Sequence, residues 1–158
     1  ERDPTSKALV FSSWPRLIDL AAEGLTEHKV GWASIVGAKP DERQAALQRF
    51  KTQPDCRVLF LLMTHKGGAS GLTLTEASVS FLLEPSTDPG VEAQAAARIH
   101  RMGQAHPSRV IRLLAADTIE QRVLEQQERK RASGQATSKA ALEDDISDLM
   151  AVLAQHSN

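Results

Sequence analysis

The chain has 158 residues, 41% of them hydrophobic, a net charge of −1 and a single cysteine, Cys56. That length bounds one domain with a real core, and near-neutrality excludes a global basic field, so any nucleic-acid contact must be a local patch. One cysteine excludes an internal disulfide and points to a reducing compartment, and no apolar run approaches the ~20 residues of a membrane-spanning helix. No signal peptide opens the sequence, and because it starts at Glu1 rather than a methionine we read it as a piece of a longer protein.

In chain order, "KALVFSS" (7–13) reads as a strand and "PRLIDLAAEGL" as a helix, with Pro15 suited to its first turn. "VGWASIV" (30–36) is a second strand. "PDERQAALQRF" opens a helix at Pro40 and sets Asp41 and Glu42 where the helix dipole favours carboxylates. "RVLFLLM" (57–63) is a continuous apolar run, the signature of a strand buried on both faces. "SVSFLLE" (78–84) and "RVIRLLA" (109–115) complete five strands, with a helix through "QAAARIHRMGQ" (94–104) between them. "TIEQ" (118–121) has the form of a capping box and starts a helix that runs through "EQQERKR" to near Gly134. "SGQATSK" (133–139) is a polar linker, and Leu142, Ile146, Leu149 and Leu153 then recur at helical spacing in a final amphipathic helix that packs on the domain or on a neighbour.

Strands alternating with helices predict an α/β fold with a parallel sheet. Ligands in such sheets sit beyond the carboxyl ends of the strands, which directs attention to the loops after Met63 and Glu84. At about 100° per residue, Gln94, Arg98 and Arg101 share one narrow stripe, and the alanines at 93, 95, 96 and 97 keep the rest of the helix slim. Two guanidinium groups so placed repel unless an anion or a carboxylate lies between them. The arginine fork suits phosphate oxygens; a surface salt-bridge stripe explains the spacing equally well. The loop "MTHKGGASGLTL" (63–74) tilts the choice toward phosphate, because Gly67, Gly68 and Gly71 permit close approach while Thr64 and Lys66 add a hydroxyl and a cation. No glycine is followed by lysine, so a P-loop is excluded. Nor is "GGASG" a G-x-G-x-x-G dinucleotide fingerprint. Arginines for a nucleotide without a cradle describe one half of a two-part site.

Taken together, "KALVFSSW", "MTHKGGASGLTLTEA" and "QAAARIHRMGQ" resemble motifs IV, V and VI of the C-terminal, second RecA-like lobe of Swi/Snf-type helicase-like ATPases. "VIRLLAADTIEQRVLEQQ" resembles the strand and brace helix that follow. The resemblance implies a RecA-like three-layer sandwich with a mainly parallel sheet plus C-terminal helices: the lobe and brace helix over 1–132, the linker 133–139, and the helix 140–156. It implies ATP bound between two lobes, with Mg²⁺ held by the first. Arg101 would be the arginine finger, Arg98 a second γ-phosphate contact or closure sensor, Gln94 their support, and Gly71 a neighbour of the nucleotide. Ser12, Ser13, Thr64 and Lys66 would meet the phosphate backbone of double-stranded DNA. The N-terminal RecA-like lobe of the same parent chain is the implied partner, and this piece alone would hydrolyse no ATP. "GASGLTLTEA…LLEP" is similar to the SNF–histone-linker–PHD–RING-helicase group, which implies a nuclear DNA translocase or chromatin remodeller whose parent also carries a RING and meets nucleosomes or ubiquitin machinery. One cysteine builds no RING within these residues. Ala97, where related sequences carry glycine or an acid, and a motif V loop one residue longer motivate an alternative: a catalytically degenerate lobe acting as a DNA-binding or protein-interaction module.

The five histidines form no H-E-x-x-H pattern, and no metal site is expected. Two tryptophans, four phenylalanines and no tyrosine make a base-stacking platform a poor fit, so DNA contact should be sequence-independent and salt-sensitive. Trp14 and Trp32, beside apolar strands, are assigned to the core.

Overall fold

Prolines at the first helical position, where a missing N–H costs nothing, open three of the helices. The computed structural model describes residues 6–63, 72–99, 104 and 106–133, with side chains through 129. Its elements are β1 (Lys7–Ser12), α1 (Pro15–Glu27), β2 (Gly31–Ser34), α2 (Pro40–Thr52), β3 (Cys56–Leu62), β4 (Ala77–Leu82), α3 (Pro89–Ala96), β5 (Arg109–Arg112) and α4 (Ile119–Ser133). The expected strands are all present, with β2, β4 and β5 ending two to three residues sooner than their apolar runs. The linker 133–139 and the helix 140–156 lie, apart from the backbone of residue 133, outside the described residues.

The five strands form one parallel sheet in the order β2-β3-β1-β4-β5. The central strands are the most apolar, as double-sided burial requires. Leu9, Phe11, Leu59, Leu61 and Leu82 face one side and pack with Phe50 of α2 and Val91 and Ala95 of α3. Val10, Val58 and Phe60 face the other and pack with Ile18 and Ala22 of α1. Trp32 joins this second layer edge-on to Phe60, ring centroids 5.8 Å apart, with its indole N–H donated to Thr26 Oγ1 at 2.9 Å.

Two contacts fix local geometry. A Cβ on Gly31 would lie 2.1 Å from the Asp55 carbonyl oxygen, so only glycine lets β2 pass the turn entering β3. Lys7 lies over the Phe50 ring and donates its ammonium to the carbonyls of Phe50 and Gln53, capping the C-terminal end of α2 from the first residue of β1.

The outer half of the sheet is barer. Val110, Ile111, Leu113 and Leu114, in and after β5, keep 37–45% of their surface exposed. Ile111 stands beside Phe81, which stands beside Val10, so Ile111 belongs to the α1 face of the sheet. The α1 helix packs mainly on β1 and β2.

Candidate functional site

β1 sends the chain toward β2, and β4 sends it the opposite way to β5, although β1 and β4 are neighbours. The crevice beyond their carboxyl ends is therefore the topological switch point, the place where open α/β sheets take ligands. Ser12, Ser13 and Trp14 lie on one lip and Glu84 on the other. The two lips are bonded: the Ser13 amide donates to Glu84 Oε1 at 2.5 Å, and Glu84, 7% exposed, leaves Oε2 buried with no hydrogen-bond partner.

The expectations on this lip divide. Ser12 is 0% exposed, and its hydroxyl both accepts from the Trp14 amide (2.9 Å) and donates to the Trp14 carbonyl (3.3 Å). A hydroxyl so engaged shapes the turn into α1. Ser13 is exposed. Trp14 is 66% exposed, so its assignment to the core is corrected. It stands two residues past the end of β1 and serves as N-cap of α1. Arg16, one residue inside α1, is exposed as well, and sequence reasoning passed over it. A cation in the first turn opposes the helix dipole and gains from an anion placed there.

Motif VI departs from its expected shape. α3 ends at Ala96 with Ala97 as C-cap, so Arg98 stands in the turn beyond the helix. Short-range bonds tighten that turn, with the amides of Arg98 and Ile99 reaching the carbonyls of Ala95 and Ala96 at 3.2 Å. The Arg98 carbonyl accepts from the Leu74 amide at 3.4 Å, a bond that draws it away from the helical ladder. A helical wheel therefore does not extend from Gln94 to Arg98. Gln94 is exposed and Arg98 half-buried. Arg101, Gly71, Thr64 and Lys66 lie outside the described residues.

What the structure does join is the end of motif V with motif VI. Besides the Leu74–Arg98 bond, the Gln104 side-chain amide donates to the carbonyls of Ala77 (2.8 Å), Ile99 (3.2 Å) and Thr75 (3.3 Å), while its oxygen accepts from the His106 amide (3.0 Å). One glutamine thus clasps segments 27 and 5 residues away in sequence. A groove of about 690 Å³ near Trp32 and Arg49 lies by β2, at the opposite edge of the sheet, and takes no part in this arrangement.

The helicase conserved C-terminal domain family matches residues 1–103. The human E3 ubiquitin-protein ligase SHPRH is 38% identical over 151 residues, covering 94% of this chain and 9% of that protein. The human SWI/SNF-related matrix-associated actin-dependent regulator of chromatin subfamily A member 1 is 33% identical over 130 residues, covering 82% of this chain and 12% of that protein. Among solved structures, the C-terminal part of the Fun30 ATPase domain superposes with a TM-score of 0.70 at 25% identity, over 76% of this chain and 38% of that one. The chain spans about a tenth of the length of the curated relatives it matches. A parallel RecA-like sheet, a bonded switch-point crevice and these matches lead to one conclusion: the chain belongs to the helicase conserved C-terminal domain family, as a C-terminal helicase lobe of the Swi/Snf type.

Proposed function

We propose that this chain is the second lobe of an ATP-dependent double-stranded-DNA translocase and supplies guanidinium groups to ATP held on a first lobe of the same parent. The observation that carries the reading is the Leu74–Arg98 bond reinforced by the Gln104 clasp, which places the chain flanking the glycine-rich loop against the arginine segment. That pairing fits a triphosphate approached from outside the lobe, with Gly71 giving close backbone approach on one side and Arg98 and Arg101 giving charge on the other. ATP, with Mg²⁺ held by the first lobe, supplies the phosphoryl group, and charge developing on it in transfer is what a positioned guanidinium stabilises, worth ~10³–10⁵ in rate. Arg101 is the finger, Arg98 the second contact or closure sensor, and Gln94 their exposed support on α3. DNA backbone lies across Ser13, Thr64 and Lys66, with Arg16 and the α1 N-terminus beside Ser13.

The test uses the parent chain with both lobes. Arg101→Ala abolishes DNA-stimulated ATP turnover with the melting temperature unchanged; near-normal turnover in that variant defeats the finger assignment. A parent that hydrolyses no ATP under any DNA condition turns the reading to a scaffold lobe, the alternative that Ala97 motivates.

A further inference from the structure

Glu92 and Gln127 are 2% and 1% exposed, and neither belongs to the switch-point crevice. Glu92 sits midway along α3, a helix otherwise rich in alanine. Its Oε1 accepts from the Ser86 amide (2.9 Å) and from Gln127 Nε2 (2.7 Å), and its Oε2 accepts from Arg112 Nε (2.7 Å). Gln127 Nε2 spends its other hydrogen on the Ser86 carbonyl. One carboxylate therefore gathers the β4–α3 turn, the end of β5 and the middle of α4. The orientation of the Gln127 amide is dictated, since a flip would face its oxygen against a carboxylate and a carbonyl, both acceptors only. Among the described residues Gln127 Oε1 is buried without a partner, so the N–H donors are what this position uses.

Volume and apolar packing do not explain such a residue; one donor aimed at a buried carboxylate and one at the Ser86 carbonyl do. α3 leads within two residues of its end to Arg98. Glu92 lies four residues, about 6 Å, before the end of α3 at Ala96, so a tilt of about 10° there moves that end by about 1 Å. Misplacement of a catalytic group by about 1 Å is enough to cost ~10²-fold in rate.

We infer that Gln127 of α4 is a positioning residue for the arginine segment: through Glu92 it fixes the bearing of α3 and thereby where Arg98 is presented. This rests on the phosphoryl-transfer role proposed above for Arg98 and Arg101. It makes α4, which follows β5 in the chain, a lever on that chemistry.

The experiment compares Gln127→Met, which keeps length and removes both donors, with Gln127→Glu, which opposes two carboxylates, in the two-lobed parent. Arg122→Ala, on the exposed side of α4, is the control. Gln127→Met lowers kcat for DNA-stimulated ATP hydrolysis by about tenfold with KM for ATP held within about twofold, since an interaction made in the transition state is what is lost. Gln127→Glu loses more, and Glu92→Gln in that background, which exchanges the amide and the acid, recovers part of it. Amide exchange at Ala97, Arg98 and Ile99 speeds up by about tenfold in Gln127→Met and is unchanged in Arg122→Ala. The exchange readout needs no turnover: in a parent that hydrolyses nothing, the phosphoryl reading fails while the α4–α3 coupling is still decided. Should Gln127→Met not fold, Gln127→Asn, which keeps both donors one methylene short, gives the same comparison. Unaltered exchange at 97–99, or kcat and KM worsening together in step with melting temperature, overturns the inference.

Discussion

Replacing Gln104 by alanine removes a side chain that bridges three carbonyls and an amide. Ala77 and Ile99, whose carbonyls it serves at 2.8 and 3.2 Å, are both 0% exposed. Each buried carbonyl stripped of its donor costs about 1–3 kcal/mol. Gln104 is itself only half-buried, so water reaches part of the vacated space and the lower end applies. The expected loss is about 2 kcal/mol, or about 4–8 °C in melting temperature for a chain of this size. Gln104→Glu, which sets an acceptor against acceptors, should destabilise at least as much. The assay is urea unfolding followed by far-ultraviolet circular dichroism, read as a shift in midpoint at constant slope. A Gln104→Ala chain within about 0.5 kcal/mol of the original at equal slope would refute the claim that this side chain holds the two motifs together.

Gly31→Ala should destabilise by about 1–3 kcal/mol, because the new methyl meets the Asp55 carbonyl at 2.1 Å and the β2–β3 approach must open; equal urea midpoints would contradict the geometry. Trp14→Phe should remove the long-wavelength part of the tryptophan emission and shift stability by less than about 0.5 kcal/mol, since Trp14 is 66% exposed while Trp32 packs on Phe60. Burial pushes the Cys56 thiol above its ordinary value, partly offset by the nearby Arg49 and Lys7 charges. The folded chain thus holds the thiol proton more tightly than the unfolded chain, so this stability is complete below the unfolded value, about 8.5, and is lost as pH climbs through the folded one. A Cys56→Ser chain should lose that alkaline slope, and alkylation of Cys56 in the original should track global unfolding.

The sheet was readable because its signals are local. Pro15, Pro40 and Pro89 mark helix starts, and the uninterrupted run in β3 could only be a strand with both faces covered. The end of α3 was not readable, because neither glycine nor proline stands at Ala97; the helix stops where Leu74, distant in sequence, captures the Arg98 carbonyl. Ser12 and Trp14 exchanged their expected places for a related reason. Adjacent to one apolar strand, they differ only in whether they fall on its last residue or just past it, a boundary that hydropathy alone does not resolve. Nothing in the sequence singles out Glu92 and Gln127, since a buried polar pair separated by 35 positions leaves no periodic trace. The candidate site was legible in its motifs, and illegible in the long-range bonds that arrange them.

The bare strip along β5 gives salt a diagnostic use. Ions screen charge–charge attraction, so the DNA association proposed above would loosen as ionic strength rises. Adhesion through Val110, Ile111, Leu113 and Leu114 runs the other way, tightening as sulfate drives apolar surfaces out of water. A titration from chloride into sulfate therefore sorts the sticky contacts of this lobe from its ionic ones by the sign of the response.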